Sequence, residues 1–373
     1  MKSSGDPPLD IMNDKDISFS SPTSYIRVED VIHDVEDNER NDSFYSNTED
    51  DNFVDTHGGK YFQPFTSAAS TFLSDSVESE SFFSHRKSLR SQSKLNDINV
   101  LNFVAFISNI VMAYLVGIWA LDEVGGCVKF WQIWDTHVTL VTPKLWTNVI
   151  WAPMYLFEAI FALAQLVPSI RARPMVQEGS AYFSVYASLA QIGWMVFFAF
   201  EMFLPSFIFI SATVITLVCL LLSQHLVESG QQNCSRREYW LLQFPFRLHM
   251  GWAIVMMAVN LAIMAKEHGA TEQVELSLAM VIMGILLLVA FLFLSSPTKP
   301  EFVVPFILLW TFVGIGFQLH CDKGVLTTRF GSIVISACTN ASFAFAIIVA
   351  CLILPKVLLK IYHHSFTIQV LSN

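Results

Sequence analysis

Ser84-His-Arg-Lys-Ser-Leu-Arg-Ser-Gln-Ser-Lys94, then Leu95-Asn-Asp97, then Ile98-Asn-Val-Leu-Asn-Phe-Val-Ala-Phe-Ile-Ser-Asn-Ile-Val-Met-Ala-Tyr-Leu-Val-Gly-Ile-Trp-Ala-Leu121 is where the chain changes solvent. Four cations, Arg86, Lys87, Arg90 and Lys94, precede a run of 24 residues without a charged side chain. A hydrocarbon core needs about 20 apolar residues per helix, so this run is long enough to cross one. Up to Asp97 the chain holds 9 Lys/Arg against 19 Asp/Glu, whereas the remainder holds 13 of each together with all nine tryptophans. Charge keeps the first part hydrated, and long apolar runs place the second in lipid.

The fold class that follows is all-α: a polytopic membrane bundle of about eight helices with a disordered N-terminal tail. Residues 1–97 read as an acidic cytoplasmic tail ending in the basic cluster. Residues 98–360 form the bundle, and residues 361–373 are a short C-terminal tail. The tail is rich in Asp, Glu, Asn and Ser without a periodic apolar face, too little to offset the entropy of ordering. Its basic end serves either as flanking positive charge or as a contact with anionic lipid, which phosphorylation of Ser88, Ser91 or Ser93 would release. No signal peptide opens the chain, so the first membrane helix is expected to act as its own insertion signal.

The apolar runs fall at about 98–121, 145–167, 181–200, 205–225, 241–265, 275–296, 302–319 and 332–355. Pro205 suits the first turn of a new helix and separates the third run from the fourth. An even count puts both termini on one side. The positive-inside rule agrees, with Arg171, Arg173, Arg236, Arg237, Lys299, Lys356, Lys360 and the four tail cations on the side assigned as cytoplasmic. Lys129, Lys144, Lys266, Lys323 and Arg329 lie on the other.

Charge inside a membrane is expensive and marks function. Glu158 in the second helix and Arg247 in the fifth lie at similar depth, so the expectation is that they pair or flank one polar cavity. The alternative is that Arg247 snorkels and Glu158 is protonated. His249 is expected to point elsewhere. Trp131, Trp134 and Trp146 suit an interfacial belt, while Trp151, Trp194, Trp252 and Trp310 lie deeper, where they either pack helices or line a cavity for a flat apolar ligand. Cys127 and Cys321 fall on the same outer side and could form a disulfide if that side is oxidising.

Enzymatic motifs are missing: there is no HExxH, no GxSxG, no paired intramembrane aspartates and no phosphate-cradling glycine loop. No Cys/His metal spacing occurs. Glu201, His225 and His363-His364 sit at helix ends and read as solvated edges. The expectation is therefore a non-enzymatic protein with no metal and no catalytic residues.

Thr142-Pro-Lys-Leu-Trp146-Thr-Asn-Val-Ile-Trp151-Ala-Pro-Met-Tyr155 resembles the segment that opens the second helix of the translocator protein and tryptophan-rich sensory protein (TspO/MBR) family. Gln191-Ile-Gly-Trp194 is similar to that family's Asn-x-x-Trp, and Phe244-Pro-Phe-Arg247-Leu-His-Met-Gly-Trp252 with Asn260 resembles its fifth helix. Trp310-Thr-Phe-Val-Gly-Ile315 is similar to a segment of the extended members. Gln191 stands in place of Asn, Asn148 where an aromatic is usual, and Glu158 adds a charge. The resemblance implies a TspO-like core at about 98–265 with three further helices at about 275–355. It also implies a sensor or carrier whose pocket takes a tetrapyrrole-like, sterol or other apolar ligand.

Its ligand-binding residues would be Trp146, Trp151, Tyr155, Glu158, Gln191, Trp194, Arg247, Trp252 and Asn260. A secondary transporter coupled through Glu158 is the other reading. No resident cofactor is expected beyond a bound porphyrin or lipid. The partners expected are membrane lipid and a small apolar ligand, with no nucleic acid and with homo-oligomers left open.

Overall fold

The computed structural model describes residues 95–116, 127–230, 235–295, 301–321 and 324–372. The tail readings, including Arg86, Lys87, Arg90, Lys94, Ser88, Ser91 and Ser93, lie outside these residues, as does the last part of the first apolar run. Among the described residues, eight helices are long and apolar enough to cross a membrane: Asp97–Tyr114, Leu145–Ala164, Met175–Ala199, Phe203–Gly230, Tyr239–Glu267, Glu272–Leu294, Val303–His320 and Ser332–Leu359. They are spans 1 to 8 below, and the chain is a multi-pass integral membrane protein. The end of the bundle at which span 1 begins is its near end.

Span 3 starts six residues earlier than its apolar run, because residues Met175–Ser180 form a π-helical turn that precedes the α-helix Phe183–Ala199. Ala181 joins the two with φ 38°, a left-handed conformation unusual for alanine. Its carbonyl accepts a hydrogen bond from Asn102 Nδ2 of span 1 at 3.3 Å. An irregular backbone at membrane depth needs such a neighbour, since lipid offers no donor. Spans 3 and 4 are separated at Glu201, whose φ of 54° closes the turn, and Pro205 stands in the first turn of span 4.

Span 5 is the axis: 72% of its most apolar stretch is buried, against 17% for span 8. Spans 2, 4, 6 and 7 pack against it, span 3 joins spans 1 and 4, and span 8 packs on spans 6 and 7. Two glycines allow close approach. A Cβ on Gly193 would meet the Phe209 ring at 2.4 Å, and one on Gly314 would meet Thr147 Cγ2 at 2.3 Å. Gly314 is thus the point where span 7 lies against the opening of span 2, and its carbonyl accepts from the Lys144 amide at 3.0 Å.

Cys127 and Cys321 are both free thiols, so the expected bridge is not formed. The Val128 amide bonds the Ala199 carbonyl at 2.8 Å, which holds Cys127 at the far end of span 3. Cys321 caps the end of span 7.

Candidate functional site

Trp151, Tyr155 and Glu158 follow one another at spacings of four and three residues, which stacks them on one face of span 2. Trp151 lies flat against Tyr155, with centroids 5.6 Å apart, and flat against Trp194 of span 3 at 5.9 Å; it meets Trp252 of span 5 edge-on at 6.2 Å. Trp194 and Trp252 are fully buried. Among the described residues, neither indole N–H has an acceptor. An unmet buried donor costs about 1–3 kcal/mol, so two of them in one aromatic cluster mark a place that an acceptor would suit. Gln191 donates to the Tyr155 hydroxyl at 3.2 Å and accepts from Asn109 of span 1 at 2.8 Å.

One turn further along span 2, toward the near end of the bundle, Glu158 Oε1 meets His249 Nδ1 at 2.6 Å, with both residues buried. The expectation for Glu158 and Arg247 is therefore corrected. Arg247 and His249 are two residues apart and some 200° apart around span 5, so only one of them can face span 2. That one is His249. Arg247 turns toward span 7, where its Nε lies 2.5 Å from Glu301 Oε2, while Nη1 donates to Gln243 at 2.6 Å and the guanidinium covers the Tyr239 ring.

Two further residues expected at a ligand site, Trp146 and Asn260, lie outside the aromatic cluster, as does the deep Trp310. Trp146 packs edge-on against Trp310, with centroids 4.6 Å apart, and the Trp310 indole donates to the Thr147 carbonyl at 3.2 Å. These two rings seal the seam between spans 2 and 7. Asn260, eight residues beyond Trp252, donates to Ser206 at 2.6 Å and ties span 5 to span 4.

A short helix, Phe130–Thr136, roofs the cluster at the far end. Phe130 contacts Trp194 at 6.3 Å and Phe198 at 5.6 Å between centroids. Trp134, expected at the interface, is instead buried and donates to the Pro143 carbonyl at 2.8 Å. His137 caps the roof helix, with Nδ1 2.8 Å from Glu267 and Nε2 3.0 Å from Glu201. Glu201 is thus both exposed to solvent and engaged by the ring. No local pattern could reveal this, because the partners stand 64 and 130 residues from His137.

Span 1 buries Asn99, Asn102 and Asn109 on one face. Asn102 is hydrogen-bonded to Ser184 and donates to Gln165 at 3.3 Å, and Asn109 reaches Gln191, whereas neither atom of the Asn99 amide has a protein partner. Asparagines at these spacings in an otherwise apolar helix announce a polar seam toward neighbouring helices.

Neither a curated protein nor a solved structure gives a significant match to the chain. Residues 99–354, which include every residue of the cluster, match the family model described as TSPO-like protein.

Proposed function

We propose that this chain, which belongs to the TSPO-like protein family, is a sensor or carrier that binds a flat, largely apolar molecule between spans 2, 3 and 5. The observation that carries this reading is the aromatic group Trp151, Trp194 and Trp252, in which two indole N–H groups are buried without an acceptor. Aromatic walls favour a planar ligand, and the two donors favour one with carbonyl or carboxylate oxygens on its edge. A tetrapyrrole fits that description, and a sterol ketone meets it in part. Membrane lipid is the medium from which such a molecule would enter. In this reading the near end, with its excess of Arg and Lys, faces the cytoplasm.

Titrating a porphyrin into the purified full chain tests the reading. Saturable quenching of tryptophan emission is expected, together with a rise in melting temperature. Unchanged emission with no thermal shift would overturn it.

One observation favours a second reading, transport coupled through Glu158. A carboxylate and an imidazole 2.6 Å apart and buried can hold a proton between them, as coupling sites in transporters do. Transport of the same ligand by a Glu158→Gln variant at the wild-type rate and pH dependence would remove it.

A further inference from the structure

His137 occupies an arrangement that only one protonation state satisfies. Its two ring nitrogens face two different carboxylates, Glu267 at 2.8 Å and Glu201 at 3.0 Å. A neutral imidazole carries one N–H, so one carboxylate would then confront a lone pair; the imidazolium donates to both. The ring is 13% exposed and the two carboxylates 42% and 37%, so protons can exchange with water from a cavity of about 410 Å³ that His137, Glu201, Glu267 and His268 share.

The other groups around it come from every neighbouring element. Phe203 at the start of span 4 stands edge-on to the ring at 5.0 Å, and His268 turns its Nδ1 back to the Met264 carbonyl. Lys266 donates to the Val138 carbonyl at 3.2 Å and borders a second cavity with Glu275 and Arg329. On its own element the charged neighbour is Asp135, exposed.

We infer that His137 is a pH-sensitive latch, in which its imidazolium bridges Glu201 and Glu267 and pins the roof helix Phe130–Thr136 over the aromatic cluster. Loss of the ring proton breaks one of the two links and sets a lone pair against a carboxylate. The roof is therefore held while the ring carries both protons and released when it loses one. That the latch controls access to a ligand rests on the binding reading above; the latch itself does not.

Cys127 reports on the roof without any ligand. It is a buried free thiol one residue before Val128, whose amide is held by Ala199. Exposed Cys321 provides an internal reference for the intrinsic rise of thiol reactivity with pH. The full chain in detergent or nanodiscs is treated with a maleimide at about pH 6 and about pH 9, and modification at each site is read by mass spectrometry. The ratio of Cys127 to Cys321 labelling should rise about tenfold between the two, as expected for loss of a charge-assisted link. In His137→Gln the ratio should be high at both values. In Glu201→Gln, which removes one carboxylate charge at nearly unchanged size, it should be raised at the lower pH, and a ratio equal to wild type there also counts against the latch. A wild-type ratio that does not change with pH, or one that changes equally in His137→Gln, overturns the latch. Porphyrin binding can fail without affecting any of these readings.

Discussion

Glu158 and His249 face each other across spans 2 and 5 at 2.6 Å, both buried, in a part of the chain surrounded by apolar side chains. Removing one member of such a pair leaves the other without its partner in a low-dielectric setting. We expect Glu158→Ala or His249→Ala to destabilise the bundle by about 3–5 kcal/mol, and Glu158→Gln, which retains an acceptor, to cost less. Chemical unfolding in detergent measures this. Equal losses for the Ala and Gln variants at Glu158 would show that the hydrogen bond contributes nothing.

Gly314 and Gly284 provide a matched pair. A methyl group on Gly314 would press into Thr147 at 2.3 Å, whereas one on Gly284 meets nothing within 4 Å. Gly314→Ala is expected to cost about 1–3 kcal/mol by overpacking spans 2 and 7. Gly284→Ala should be neutral or stabilising by up to about 1 kcal/mol, through helix propensity. Their melting temperatures, compared side by side, check both signs.

The asparagine face of span 1 leads to an inversion of the usual rule for polar-to-apolar changes. Asn99→Leu removes an amide that has no protein partner and is expected to leave stability unchanged or raise it. Asn102→Leu strands the Gln165 oxygen, Ser184 and the Ala181 carbonyl, and should cost about 1–3 kcal/mol or more. If Asn99→Leu is the more damaging of the two, the Asn99 amide has a role in the membrane that its protein contacts do not reveal.

Trp194→Phe and Trp252→Phe separate binding from packing. Each keeps an aromatic ring and deletes an indole N–H that no protein group accepts. Melting in the absence of ligand should change little. Porphyrin affinity should fall about tenfold if the N–H reaches a charged ligand oxygen. Trp134→Phe is the control, because its N–H is bonded to Pro143 and its loss should lower stability by about 1 kcal/mol.

Much of this architecture is legible in the chain because a membrane demands long apolar runs, and eight such runs leave little choice. The break at Pro205 is legible for the same reason. The early start of span 3 is not, since Met175–Ser180 turns as a π-helix held by its neighbours rather than by an apolar pattern. At the site, Trp151, Tyr155, Trp194 and Trp252 come together in one aromatic cluster. Arg247 and His249 show the limit of depth alone: both lie near Glu158 in height, and rotation about the helix axis decides which one reaches it. Trp310 fails in the same way, being deep enough for the cluster but turned toward Trp146. His137 has no local signature, because its meaning comes from two carboxylates brought to it by the fold.

Spans 1 and 3 run parallel, and the sequence offset between hydrogen-bonded residues is 82 both for Asn102 with Ser184 and for Asn109 with Gln191. The two pairs act like teeth of a comb seven residues apart. Sliding one helix along the other by a single turn would unmesh both at once, and the next position at which they re-engage lies about 10 Å away. Spans 1 and 3 must therefore travel as one rigid plank, and any widening around the tryptophans falls to spans 2 and 5 and to the roof above them.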